Sequence, residues 1–298
     1  MLLPTGFGAG VERDRGTSMT WRLGVRHHTL NHYAAPVVSS YNEARISPLS
    51  TDRQMVIDAQ VILSPTSQPF RYWDYWGTLV HSFDVQEPHT ELALTGTSVV
   101  ETSGPAELVG EAGWPELRRQ EVLDRFSDLL APTRLVPVEG EVMEAAPALA
   151  RDATPVETCR SAGEWVRSRL RYESGTTTAS SPVSDALDHG SGVCQDFAHL
   201  TLALLRAVGI PCRYVSGYLH PMPDAAIGEL IVGQSHAWVD AWVGDWLALD
   251  PTSGADVGER HVVVGRARDY ADVTPFKGIF HGGPADHLEV EVGLTRLA

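Results

Sequence analysis

Along residues 20–103 apolar and polar positions alternate. Residues 21–32 carry Leu23, Val25, His27 and Thr29 at every second place, and residues 54–63 set Met55, Ile57, Ala59, Val61 and Leu63 against polar neighbours. Residues 78–85 and 91–100 continue the pattern, with Pro and Gly between the runs. A period of two puts alternate side chains on opposite faces of a strand. Four such runs with no helix-length segment between them predict an antiparallel β domain over 20–103. The period changes after Gly104. From Trp114 to Leu130, Leu117, Val122, Leu123, Phe126, Leu129 and Leu130 fall near helical spacing and Pro132 ends the run, so 104–150 reads as a helical connector.

The remainder, 151–298, mixes both periods. Residues 154–172 read as a helix, with Pro155 in its first turn and Ala162, Trp165, Val166 and Leu170 as its apolar stripe. A Ser/Thr-rich loop over 175–182 leads to a short helix at 183–189. Residues 194–208 predict a buried helix with Phe197, Leu200, Leu204 and Val208 on one face, and Gly209 and Pro211 end it in the expected order. Strands follow at 213–219, 234–243 and 246–250. Beyond Val262 the chain reads as loop until a closing strand at 288–297. The fold class is therefore α+β, an antiparallel β domain followed by a mixed domain. Residues 1–19, Gly-rich and unpatterned, are expected to be a disordered extension, with Met19 as an alternative start.

Charge and composition narrow the function. The 298 residues carry 23 Lys+Arg against 38 Asp+Glu, a formal charge of −15, which excludes a general binder of nucleic-acid backbones and mildly favours basic or neutral substrates. Lys277 is the only lysine. No run of 18 apolar residues predicts a membrane span, and the amino terminus lacks the basic and apolar regions of a signal peptide. Cys159, Cys194 and Cys212 cannot all pair. The expectation is a reduced, cytoplasmic protein.

The three cysteines differ in setting. Cys159 lies in an amphipathic helix and Cys212 at a strand entrance, both ordinary packing positions. Cys194 stands at a predicted helix start after Gly190-Ser191-Gly192, where free N–H groups and the positive dipole end favour a thiolate. His236 begins a strand, and Asp250 ends the next one. Whether they can meet depends on parity. A two-residue turn at Gly244-Asp245 would point Asp250 away from His236, whereas a three-residue turn, Val243-Gly244-Asp245, makes paired residues sum to 488 and sets Asp250 diagonally beside His236. Asp240 shares a face with His236 but lies four residues along, about 13 Å at 3.3 Å per residue, too far to orient the ring. A Cys-His-Asp set of this kind suits nucleophilic catalysis.

The runs Gly192-Val193-Cys194-Gln195-Asp196-Phe197-Ala198-His199, Gly209-Ile210-Pro211-Cys212-Arg213-Tyr214-Val215-Ser216-Gly217-Tyr218, Ser235-His236-Ala237-Trp238-Val239 and, after Trp246, Leu249-Asp250-Pro251-Thr252 occur in order. This set resembles the core of the transglutaminase-like cysteine enzyme superfamily. The N-terminal region, with Arg26-His27-His28-Thr29 and later Asp84-Val85-Gln86-Glu87-Pro88-His89, is similar to the bacterial transglutaminase-like N-terminal domain. The resemblance implies a papain-like core, its cysteine helix packed on an antiparallel sheet. It also implies Cys194 as nucleophile, His236 as base and Asp250 as orienter. The reaction it implies is acyl transfer or hydrolysis at amide bonds of a peptide or protein through a thioester, as in a cysteine protease or amidase. The Cys194 N–H is the first oxyanion donor to consider, with Gln195, Trp165 and Tyr172 as candidates for a second; Trp165, on an apolar stripe, also reads as core, and Gln195 and Asp196 as helix-start residues.

No cofactor and no metal is expected. His27, His28 and His32 share a strand on which neighbours face opposite ways, and His199 is off the i, i+4 spacing from Cys194. The loop from His220 to Gly228 is placed near the cleft by position alone. The rival reading is a binding or scaffold protein that keeps the fold without turnover.

Overall fold

The computed structural model describes residues 20–233 and 235–298. The expectations for 1–19 and for Gln234 lie outside that range. The N-terminal half supplies β1 (Thr20–Ala44), β2 (Gln54–Ser64), β3 (Phe70–Trp73), β4 (Leu79–Val85) and β5 (His89–Ser103). The connector holds α1 (Trp114–Leu117), α2 (Gln120–Arg125), α3 (Ser127–Leu130) and α4 (Glu141–Leu149). Then come α5 (Pro155–Arg169), β6 (Arg171–Tyr172), α6 (Val183–His189), β7 (Ser191–Gly192), α7 (Cys194–Ala207) and β8 (Cys212–Leu219). The chain closes with β9 (Leu230–Gly233), β10 (Ser235–Trp242), β11 (Trp246–Leu249), β12 (His261–Ala267), β13 (Phe276–Gly282) and β14 (Ala285–Arg296).

Strand β1 is the spine of the larger sheet. It pairs antiparallel with β5 and β14 along its first half, and with β4 and β13 along its second. The central order is β2-β5-β1-β14-β9. The sequence division assigns the closing strand to the mixed segment 151–298, but the fold returns β14 to the N-terminal sheet, beside β1. Strands β12 and β13 fall where the sequence reads as loop. β12 is buried along nearly its whole length, so its Val262–Val264 run shows no alternation, and β13 is exposed and contains Gly278 and Gly282.

The smaller sheet, in order β11-β10-β8-β12, is antiparallel throughout and carries α7 on one face. A core of Leu200, Leu204, Phe197, Ala237, Val239, Ala241 and Cys212 fills that interface. Helices α4 and α5 cover α7 from the other side, so every residue from Gln195 to Arg206 is buried, not one face alone. Burying each such leucine contributes about 1.5–3 kcal/mol. On the sheet's far side a second core joins it to β1 and β14 through Trp21, Leu23, Tyr218, Val262, Val292 and Leu294.

Local chemistry sets the helix ends. Thr154 caps α5, accepting from the Glu157 N–H at 3.2 Å while Glu157 accepts from the Thr154 N–H at 2.8 Å, with Pro155 first in line. Gly209, at φ +80°, lets the Ile210 N–H turn back to the Leu205 carbonyl at 2.9 Å and stop α7. The single connector helix of the sequence reading breaks into α1, α2 and α3. Leu117 and Phe126 are both buried, yet nine residues are about two and a half turns, which would put them on opposite faces of one continuous helix. Breaking it turns both inward, and Phe126 packs on Trp242 and Trp246. Among the described residues no helix is long and apolar enough to cross a membrane.

Candidate active site

Cys194 is the first residue of α7. The start is fixed by Asp196, whose Oδ2 accepts the Val193 N–H at 2.8 Å and the Thr177 hydroxyl at 2.7 Å. Asp196 is fully buried, and that burial raises its pKa. Gly192 is required by this arrangement, since a Cβ there would stand 2.5 Å from Asp196 Oδ2. The short parallel pair β6–β7 holds Tyr172 alongside Gly192. Cys194 is partly exposed at the floor of a cleft of about 250 Å³, and its Sγ lies 4.0 Å from the Ser235 carbonyl.

The β10–β11 hairpin pairs Val239 with Leu249 and Trp242 with Trp246, so the turn has three residues and each pair sums to 488. That parity puts Asp250 beside His236, with His236 Nε2 donating to Asp250 Oδ2 at 2.9 Å. Asp250 Oδ2 also accepts the Ser253 hydroxyl at 2.6 Å, and Oδ1 accepts the Thr252 and Ser253 N–H groups at 3.0 and 3.2 Å. Burial alone would raise the Asp250 carboxyl, but the His236 hydrogen bond, the nearby His261 ring and Ser253 hold it far below the usual range. Burial likewise opposes charge on His236. Asp250 and the adjacent Cys194 sulfur outweigh it and push the ring up to about 9. The arrangement is an imidazolium held between a carboxylate and a sulfur, suited to ionising a thiol and returning a proton.

Of the other sequence candidates, Gln195 and Tyr172 line the cleft and Trp165 does not. Trp165 packs against the main core, with the Arg169 guanidinium 5.7 Å over its ring. The Gln195 carboxamide donates to the Ala179 carbonyl at 3.3 Å. The loop 220–228 is not part of the cleft lining. Asp240 is bound by Arg213, at 3.0 and 2.9 Å, and by Arg266 at 3.1 Å. His27 is sandwiched between Tyr218 and Thr29, His28 bonds Thr95, and His199 accepts the Tyr270 N–H at 3.2 Å.

Three residues at the site were not among the site candidates of the sequence reading. Tyr214 and Tyr270 line the cleft, and their phenols are raised by burial and then by the Cys194 charge, so they are neutral donors. His261 faces Asp250 from β12. A strand signal was available there, an apolar Val run ending at Gly265, which length and flanking glycines distinguish from loop. Among the described residues, His236, Asp250 and His261 form the one group whose potential metal-ligating atoms lie within 4.8 Å of one another.

Comparison with known proteins agrees with this architecture. The family model described as "Transglutaminase-like superfamily" matches residues 144–251, and "Bacterial transglutaminase-like N-terminal region" matches 23–101. An uncharacterized protein of Mycobacterium leprae is 47% identical over 93% of this chain and all of its own length. A Pseudomonas aeruginosa protein named protein-glutamine gamma-glutamyltransferase is 28% identical over 64% of this chain, which covers 29% of that larger protein. A solved structure titled "Putative Cysteine Protease from Cytophaga hutchinsonii" shares the fold, with a TM-score of 0.73 at 20% identity, covering 94% of this chain and 98% of that one.

Proposed function

The chain belongs to the transglutaminase-like superfamily, and from that premise we propose that it is a thiol-dependent acyltransferase or hydrolase acting on amide bonds of peptides or proteins through Cys194, His236 and Asp250. The observation that carries this reading is the His236 ring held by Asp250 at 2.9 Å and raised to about 9 beside the Cys194 sulfur.

In this mechanism the proton of Cys194 already rests on His236, and Asp250 stabilises that imidazolium beside the thiolate. The thiolate attacks the substrate carbonyl, and the oxyanion forms near the Cys194 N–H, a helix-start donor with no partner inside its own helix. When the C–N bond breaks, His236 gives its proton to the departing amine, leaving a thioester on Cys194. Water, or a second amine, deprotonated by His236, then cleaves the thioester to release a carboxylic acid or a new amide. Tyr172 is the second oxyanion donor in this reading, because the Gln195 carboxamide is engaged with Ala179. Three free thiols fit a reducing, cytoplasmic location.

Cys194→Ala is expected to abolish turnover while the protein stays folded. On glutamine-containing peptides, ammonia release would mark deamidation or transfer, and new peptide termini would mark proteolysis. Activity retained by the Ala variant would overturn the assignment. The scaffold alternative has the opposite signature, a wild-type thiol inert to iodoacetamide at pH 7 and no turnover.

A further inference from the structure

Strand β12 brings a second imidazole to the Asp250 carboxylate. His261 is 4% exposed, and its Nε2 lies 3.6 Å from Asp250 Oδ2, an ion-pair separation slightly too long for a hydrogen bond. Its other nitrogen settles which atom carries the proton. His261 Nδ1 accepts the Gly258 N–H at 3.2 Å, so the neutral ring has its hydrogen on Nε2. That buried N–H has no hydrogen-bond partner of its own, and a buried donor costs free energy until it finds one. The Asp250 oxygen that holds His236 is the acceptor it faces.

The ring is fixed from several sides. Its backbone N–H returns to the Gly258 carbonyl at 2.9 Å, closing the loop that Asp250 opens. Trp238 meets it edge-on at 5.2 Å, and the same indole stacks on His236 at 6.1 Å. The charged groups around the pair are few: Cys194 from α7, Asp250 at the end of β11, and Arg260, which is tied to the His220 and Pro221 carbonyls. Burial first, and then the His236 and Arg260 charges, lower the pKa of His261, while Asp250 opposes them.

We infer that His261 is a positioning residue. Its Nε2–H closes on Asp250 Oδ2 and keeps that oxygen aimed at the His236 ring opposite Cys194. This rests on the Cys-His-Asp reading above and adds a fourth member to it. The role is that of an outer partner which orients a working group without touching substrate; among the outer partners of metal ligands, loss costs about 10–100-fold.

The test needs no substrate. The rate of Cys194 alkylation by iodoacetamide is measured from pH 5 to pH 10, with labelling located by mass spectrometry. Wild type is expected to show a plateau at acid and neutral pH, the signature of an imidazolium-paired sulfur, and a further rise in alkali. His261→Phe, which keeps a ring against Trp238 without a donor, is expected to lower the rate at pH 6 about tenfold and leave the pH 10 rate unchanged. A general loosening of the fold would move both limbs. His261→Met serves the same purpose if the Phe ring is not tolerated, and His261→Gln, which retains an N–H, is expected to restore part of the plateau. In the Asp250→Asn background, His261→Phe should have no further effect. A plateau that survives in His261→Phe and His261→Met but is lost in Asp250→Asn overturns this inference alone. A wild type without any plateau overturns the triad reading as well.

Discussion

The β10–β11 hairpin has two buried carboxylate centres beside it, Asp240 on β10 and Asp250 just past β11, and they have different fates. At one end Asp240 is clamped by Arg213 and Arg266, and Arg213 lies 3.8 Å over the Trp246 ring. At the other, Asp250 is flanked by His236 and His261. Both carboxylates are nearly excluded from solvent, and each faces two basic side chains. Guanidinium groups hold their protons throughout the working pH range, so the Asp240 centre has one charge state and can only brace the sheet. Imidazoles exchange protons near neutrality, and the cleft opens beside His236, so the Asp250 centre can move a proton. Burial and pairing alone do not mark a candidate active site; a partner able to titrate, beside a cleft open to solvent, does.

The largest effect should separate the two centres by activity. Asp250→Asn is expected to reduce turnover on the order of 10³-fold or more, as loss of an orienting carboxylate does in other nucleophilic triads, whereas Asp240→Asn should leave the rate within about threefold. Steady-state rates on any substrate that Cys194→Ala fails to turn over would check this, and equal losses at both positions would erase the contrast.

The next contrast is in stability. Asp240→Asn leaves two guanidiniums without their carboxylate and should cost about 3 kcal/mol in denaturant unfolding, the low end for a buried pair because both arginines keep some solvent contact. That deficit should be flat between pH 6 and pH 9. The Asp250→Asn deficit should not be flat. The folded state holds the His236 proton up to about 9 against an ordinary value of 6.5, so this stabilisation is complete below pH 6.5 and disappears as pH rises through about 9. The deficit is therefore expected to shrink in alkali.

A smaller, opposite dependence belongs to the N-terminal sheet. His27 is neutral between Tyr218 and Thr29, with burial first and then His28 pushing its pKa down to about 4. The unfolded chain binds that proton first, so wild-type stability should fall as pH drops from about 6.5 towards 4, at up to about 1.4 kcal/mol per pH unit for this group. His27→Gln should reduce that slope in pH-dependent thermal unfolding, the remainder coming from His81 and His199, whose pKa values burial also lowers. The smallest effect expected is at Trp165, which packs on the core outside the cleft lining, where Trp165→Phe should change turnover less than twofold and stability by less than about 1.5 kcal/mol.

Much of the site was legible because it is local. The start of α7 at Cys194 follows from Gly192 and Asp196, its end from Gly209, and the diagonal approach of Asp250 to His236 follows from parity across one turn. What was not legible depends on distant partners. The pairing of β14 with β1 spans most of the chain, and nothing in residues 288–297 names the strand they will join. Tyr270 reaches the cleft because His199, some seventy residues earlier, accepts its N–H. Trp165 has the composition of a site residue, but its side of α5 meets core and Arg169 instead of the cleft. His261 was missed because β12 is buried on both faces, which removes the alternation that marks a strand and leaves only its short Val run before Gly265 as a signal.

The account turns on the charge of one imidazole at neutral pH, and NMR titration of the His236 ring measures it directly. The account predicts a protonated ring at pH 7.5 that titrates near 9, and a lower value in Asp250→Asn. A ring that loses its proton near 6.5 in the wild type, and does so unchanged in Asp250→Asn, would contradict it.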